Sequence, residues 1–270
     1  MYAGVLHLGS FNFWRGIMTL SITKTLATAA VAVIASTTIT YAAAIDLRTW
    51  TKEDYSGGAG SWVPEASAGA YVDQNINGNP TVYYSDFDAT NKRVEGKIQV
   101  RTTGDDDFIG FVLGWDAGDF TSATADYLLL DWKQGNQGAA SRGLALNRIS
   151  GRPGSANDYW AHIGGVTELA RAATLGDTGW ADNTEYEFTI DFFTTNVKVW
   201  VDGVLQFNIA GSFDGGAVGF YNYSQGTVRY SAFEETQAPP PVPSVVEPGT
   251  AGLIGLSLMG LAAAGRRRKA

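Results

Sequence analysis

Three consecutive carboxylates, Asp105, Asp106 and Asp107, stand immediately before the apolar run Phe108–Trp115. Calcium takes about six to eight hard oxygen ligands from carboxylates, carbonyls and water. In an extended backbone Asp105 and Asp107 project to one side and Asp106 to the other, so one ion takes two of the three and completes its shell from loop carbonyls. Like charges this close repel, and a bound cation relieves that cost. The alternative is an acidic turn or N-terminal strand cap facing water. Asp86, Asp88, Asp116 and Asp119 pose the same choice, between further ligands and plain loop aspartates.

Aromatic rings stack on sugars when an apolar face lies beside polar groups. Trp115, Trp132, Tyr159, Trp160 and Trp180 are the candidates, and their ordinary role is to fill a core. His162 is the histidine available for acid–base chemistry, but no nucleophile-elbow glycine pattern accompanies any serine, so a hydrogen-bonded structural histidine is expected. Glu185, Glu187, Thr189 and Asp191 share one face of an alternating segment and read as a polar outer face. Phosphate-cradling loops, dinucleotide fingerprints and His-x-x-x-His pairs are missing from the sequence. With no cysteine, a thiol nucleophile, a zinc–thiolate site and an iron–sulfur cluster are excluded.

These residues need elements to position them, and period-two patterning supplies strands rather than helices. Val94–Arg101 alternates as a half-buried strand, while Phe108–Trp115 and Tyr127–Trp132 read as central strands. Asp202-Gly203 sits between two strand-like segments and predicts a two-residue hairpin. Ala217–Tyr223 and Thr227–Phe233 add two strands, with Gly226 at the bend. Asn75–Pro80 and Gly151–Asp158 read as surface loops, and Thr167–Thr174 as a short helix. Together they predict an all-β antiparallel sandwich over 45–236.

The flanks read as addresses. Residues 1–44 form a secretory leader, best started at Met18, with Lys24, an apolar stretch and Ala42-Ala43-Ala44. A proline-rich linker occupies 237–249, and 250–270 is a short apolar helix ending in Arg266-Arg267-Arg268-Lys269. Without the flanks, 13 bases face 26 acids, near −13. Such a field disfavours nucleic acid and anionic membranes and attracts divalent cations.

Two resemblances sharpen this. GDDDFIGFVLG (Gly104–Gly114), YLLLDWKQ (Tyr127–Gln134), Gly143–Leu146, YWAH (Tyr159–His162), Gly179-Trp180 and GGAVGF (Gly215–Phe220) with Ser224-Gln225 resemble, in order, the thrombospondin C-terminal domain over Ser61 to Glu234. That resemblance implies a concanavalin A-like, legume-lectin-type jelly roll that binds Ca2+, with Asp105, Asp106 and Asp107 as metal ligands, and mediates adhesion outside cells. The tail resembles the PEP-CTERM sorting signal, in which an exosortase recognises a Pro-Glu-Pro motif; here Glu247 and Pro248 match and Val246 replaces the first proline. It implies export to the cell surface or extracellular matrix of a Gram-negative bacterium, with the membrane engaged only through the C-terminal helix before processing.

The resulting expectation is a non-enzymatic, calcium-binding lectin-like domain that holds polysaccharide or a surface protein, with Trp115, Trp132, Tyr159 and Trp160 as candidate stacking residues. Endoglucanases on this sandwich carry Glu-x-Asp-x-x-Glu, and no such segment occurs here. A glycan hydrolase or lyase using other acids, and a ligand-free matrix protein, are the alternatives.

Overall fold

The computed structural model describes residues 43–239. The leader, Glu247, Pro248 and the C-terminal helix fall outside the described residues. Among the described residues no helix is long and apolar enough to cross a membrane.

In chain order the strands are β1 (Ala43–Ala44), β2 (Thr51–Asp54), β3 (Trp62–Pro64), β4 (Tyr71–Gln74), β5 (Thr81–Asp88), β6 (Lys92–Val100), β7 (Phe108–Trp115), β8 (Asp126–Lys133) and β9 (Gly143–Ser150). After a short helix, α1 (Ala156–Ala161), come β10 (Val166–Arg171), β11 (Glu185–Phe193), β12 (Asn196–Val201), β13 (Val204–Ala210), β14 (Ala217–Tyr223) and β15 (Val228–Gln237). They form two antiparallel sheets. The first has eight strands, ordered β13-β12-β11-β6-β15-β4-β3 with β1 beside β15, and the second has seven, ordered β10-β9-β8-β7-β14-β5-β2.

Alternation explains the packing. In β6, Val94, Ile98 and Val100 point into the core while Arg93, Glu95, Lys97 and Gln99 face out. The main core fills the space between the sheets around Phe111, Trp132, Phe188, Phe220 and Tyr230. β7 and β8 are buried on both faces, which is why their sequences run almost wholly apolar. A second apolar cluster, including Phe108, Trp115, Phe120, Tyr127, Tyr159 and Tyr221, lies on the outer side of the seven-stranded sheet. Tyr159 on α1 and Phe120 on the loop after β7 roof that side.

Asp202-Gly203 makes the expected hairpin, with φ of 49° and 74°. Glu185 and Glu187 lie exposed on β11, as the polar-face reading requires. Two expectations are corrected. The stretch beginning at Thr167 is not a helix: β10 pairs antiparallel with β9 as the edge strand, and tertiary pairing overrides the helical preference of Glu, Leu and Ala. The segment Gly151–Asp158 runs into α1, whose first turn is held by Asp158 accepting from Gly154 N and Ser155 Oγ.

Candidate functional site

Strand β8 puts Asp131 and Lys133 two residues apart, on the outer side of the seven-stranded sheet, while Trp132 between them enters the main core. Cross-strand pairing sets Lys133 opposite Phe108 and Asp131 opposite Gly110. Asp105–Asp107 therefore arrive beside Lys133 at the mouth of β7, and polar groups gather at one end of the sheet.

The three aspartates do converge, with one oxygen from each lying within 4.8 Å of the others. A lysine has joined them. The Lys133 side chain is fully buried, and its Nζ donates to Asp107 Oδ1 at 2.7 Å, Asp106 O at 3.0 Å, Asp106 Oδ1 at 3.1 Å and Gln137 Oε1 at 3.1 Å. The ammonium also sits 4.9 Å from the centroid of the Trp160 ring and 5.5 Å from that of Phe108. Asp107 is fixed further by its backbone: its N–H donates to Gln225 Oε1 at 2.9 Å and its carbonyl accepts from Trp180 Nε1 at 3.0 Å. Asp105 lies at the rim, accepting from Asn77 Nδ2 at 2.6 Å. Burial, then the neighbouring Asp107 charge, raises the Asp105 pKa above the ordinary carboxylate value.

Beyond Trp160 the chain leaves α1 through His162, whose left-handed φ of 50° closes the helix with its N–H on Asp158 O. This turn drives the imidazole toward the sheet. Nε2 meets Asp131 Oδ2 at 2.9 Å and Nδ1 meets Glu168 Oε2 at 3.3 Å, while Asn147 Nδ2 donates to Asp131 Oδ1 at 3.0 Å. Glu168 is also paired with Arg171 at 2.7 Å. Burial alone would lower the His162 pKa, but Asp131 and then Glu168 outweigh it and the pKa is raised. Burial likewise opposes ionisation of Glu168, and Arg171 followed by His162 overcomes it, leaving that pKa lowered.

A raised histidine pKa stabilises the fold fully below the unfolded value of about 6.5, and the contribution fades as pH climbs through the folded value. The melting temperature is therefore expected to fall as pH rises above about 6.5. His162→Gln should flatten that slope, which a pH series of thermal unfolding checks.

Trp160, His162, Glu168, Arg171, Arg142 and Asn136 line an open cleft of about 490 Å³. Trp160 is half-buried and steadied by an edge-on contact to Tyr223, with centroids 5.3 Å apart, and by Nε1 donating to Gln137 O at 3.3 Å. Of the four aromatic candidates it alone reaches this cleft. Trp115 and Trp132 are each 1 % exposed and Tyr159 is fully buried, so none has a free face to offer a sugar. Trp115 is wedged against Phe120 and Tyr127, Trp132 lies against Phe188 between the sheets, and Tyr159 shares a hydroxyl hydrogen bond with Tyr127. Trp180 is buried as well.

Asp86, Asp88 and Asp116 border a separate cleft of about 370 Å³, away from the aspartate triplet. Asp119 accepts from Asp116 N at 2.9 Å and serves its own loop. Sequence reasoning assigned no role to Lys133, Gln137, Glu168 or Arg171. For Lys133 a signal existed, since a lysine following Tyr127–Trp132 on the same face as Asp131 is a buried cation seeking acids.

No protein-family model matches the chain, and no curated protein matches it in sequence. Solved structures do match. The carbohydrate-binding module CBM66 from Bacillus subtilis superposes with a TM-score of 0.51 at 12% identity, covering 70% of this chain and 96% of that one. The exoplasmic/lumenal domain of VIP36 in its Ca2+/Man-bound form gives 0.48 at 12% identity, over 72% and 85%. The alginate lyase Aly36B, bound to alginate tetrasaccharide, gives 0.45 at 13%, over 74% and 98%. The fold is thus a concanavalin A-like or galectin-like sandwich.

Proposed function

We propose that the domain is a non-catalytic glycan-binding module whose sugar lies in the cleft beside Trp160. One observation carries this reading: a half-buried indole stands next to bidentate polar groups, Arg171, Glu168 and Asn136, around an open cleft of about 490 Å³. Planar amide, carboxylate and guanidinium groups match adjacent sugar hydroxyls, and an aromatic beside them supplies the apolar contact. Polysaccharide is the partner, and a glycosylated surface protein would be bound by the same chemistry. Weak single-site affinity gains strength through repeated display.

Export by the flanking segments and surface sorting by an exosortase belong to this proposal, supported by the order of the tail motifs. Kinship with the thrombospondin C-terminal domain rests on the collinear motifs from Gly104 to Gln225. A hydrolase or lyase has little to work with here. His162 faces carboxylates at both ring nitrogens, 2.9 and 3.3 Å away, so neither nitrogen is aimed at a substrate in the cleft.

A glycan array screened with the purified protein tests the reading. Trp160→Ala should weaken binding of the best hit by about 10- to 30-fold. Unchanged affinity in a folded Trp160→Ala protein would move the site elsewhere, and turnover of the bound glycan would replace the module with an enzyme.

A further inference from the structure

The resemblance implies calcium at Asp105, Asp106 and Asp107, and the side chains there do not fit a divalent ion. We propose instead that the Lys133 ammonium is the nest's own tethered cation, so that the fold needs no calcium. Three of the four oxygens around Nζ come from Asp106 and Asp107, and the fourth from Gln137. A calcium ion drawing on the same carboxylates would need about six to eight oxygens at about 2.3–2.6 Å and would have to displace the ammonium. The lysine has nowhere better to go. Its side chain is wholly buried between the Trp160 and Phe108 rings, and two cations sharing one nest would repel.

Other groups around the nest engage some of its remaining oxygens. Asp106 O also accepts from Gln134 N at 3.1 Å, and a Cβ on Gly135 would run into Asp106 Oδ2, so the following loop passes close beside that carboxylate. Asp105 Oδ2 is held by Asn77. The buried Asp107 carboxylate requires a cation, and the tethered ammonium supplies one without the entropy cost of capturing a free ion. Lys133 thus does structurally what the ion would do, fixing the loop before β7 and the loop after β8.

The proposal stands apart from glycan binding, because its test needs no sugar. Thermal unfolding of the full-length protein is compared in chelator and in millimolar calcium, alongside terbium luminescence excited through tryptophan, for the native chain, Lys133→Met and Asp107→Asn. The native melting temperature should move by less than about 1 °C, since a ligand that does not bind the folded state cannot stabilise it. No sensitised emission should depend on Asp107. Lys133→Met should melt lower, then regain about 5 °C or more with calcium and acquire terbium emission. A native chain that gains such a shift with calcium, or shows terbium emission that Asp107→Asn removes, overturns the proposal. So does a folded Lys133→Met protein that takes up no terbium. Should Lys133→Met fail to fold, the native chain's calcium and terbium responses decide alone.

Discussion

Asp107→Ala is expected to lower unfolding free energy by about 3–5 kcal/mol, the usual effect of removing one partner from a buried ion pair. The Asp107 side chain is 6% exposed and Lys133 is fully enclosed, so water cannot replace the lost carboxylate. The ammonium would keep Asp106 and Gln137 but lose its shortest contact, at 2.7 Å. Asp107→Asn retains an acceptor oxygen and removes only the charge, so a smaller cost of about 1.5–3 kcal/mol follows. Urea denaturation at unchanged slope measures both. A loss below about 1 kcal/mol for Asp107→Ala would mean that the nest is wetter and looser than its geometry, as for an exposed pair.

The nest shows where sequence reading succeeds and where it stops. Three adjacent acids before a buried strand announce a charge problem, and the side chains do converge. What answers the problem lies on a different strand, set opposite Phe108 by β7–β8 pairing, and pairing is a property of the fold rather than of either segment. The strands themselves were legible because period-two alternation and the Asp202-Gly203 turn are local signals. β10 was not, since Thr-Glu-Leu-Ala-Arg carries helix-favouring residues and becomes a strand only by lying against β9. Gly226 lies in the bend between β14 and β15 as expected, and its neighbours Ser224 and Thr227 carry the positive φ values, 60° and 58°.

Aromatic roles were partly readable. Along β8, Tyr127, Leu129, Asp131 and Lys133 share one side, and Leu128, Leu130 and Trp132 the other. The charged residues mark the outer side, so Trp132 had to enter the main core. Trp160 offered no such rule. Its half-exposure follows from a six-residue helix and the left-handed His162 that ends it.

Trp132→Ala and Trp160→Ala should therefore separate stability from binding. Trp132 packs against Tyr186 with centroids 4.6 Å apart and reaches Phe188 edge-on at 6.2 Å, and its Nε1 donates to Thr178 O at 2.7 Å. Truncation opens a large cavity between the sheets, strands a carbonyl and should cost about 3–5 kcal/mol. For a domain of this size that is a melting-temperature drop of roughly 6–20 °C. Trp132→Phe keeps most of the volume but not the hydrogen bond, and should fall between native and alanine. The protein that remains folded below the new midpoint should bind glycan with native affinity, because the Trp132 ring faces away from the cleft. Trp160→Ala should cost less stability than Trp132→Ala, although its ring also covers Lys133, and should remove most of the affinity. If Trp132→Ala instead weakened binding at full native stability, the division of the two indoles between core and cleft would be wrong, and the sugar would have to be sought on another surface.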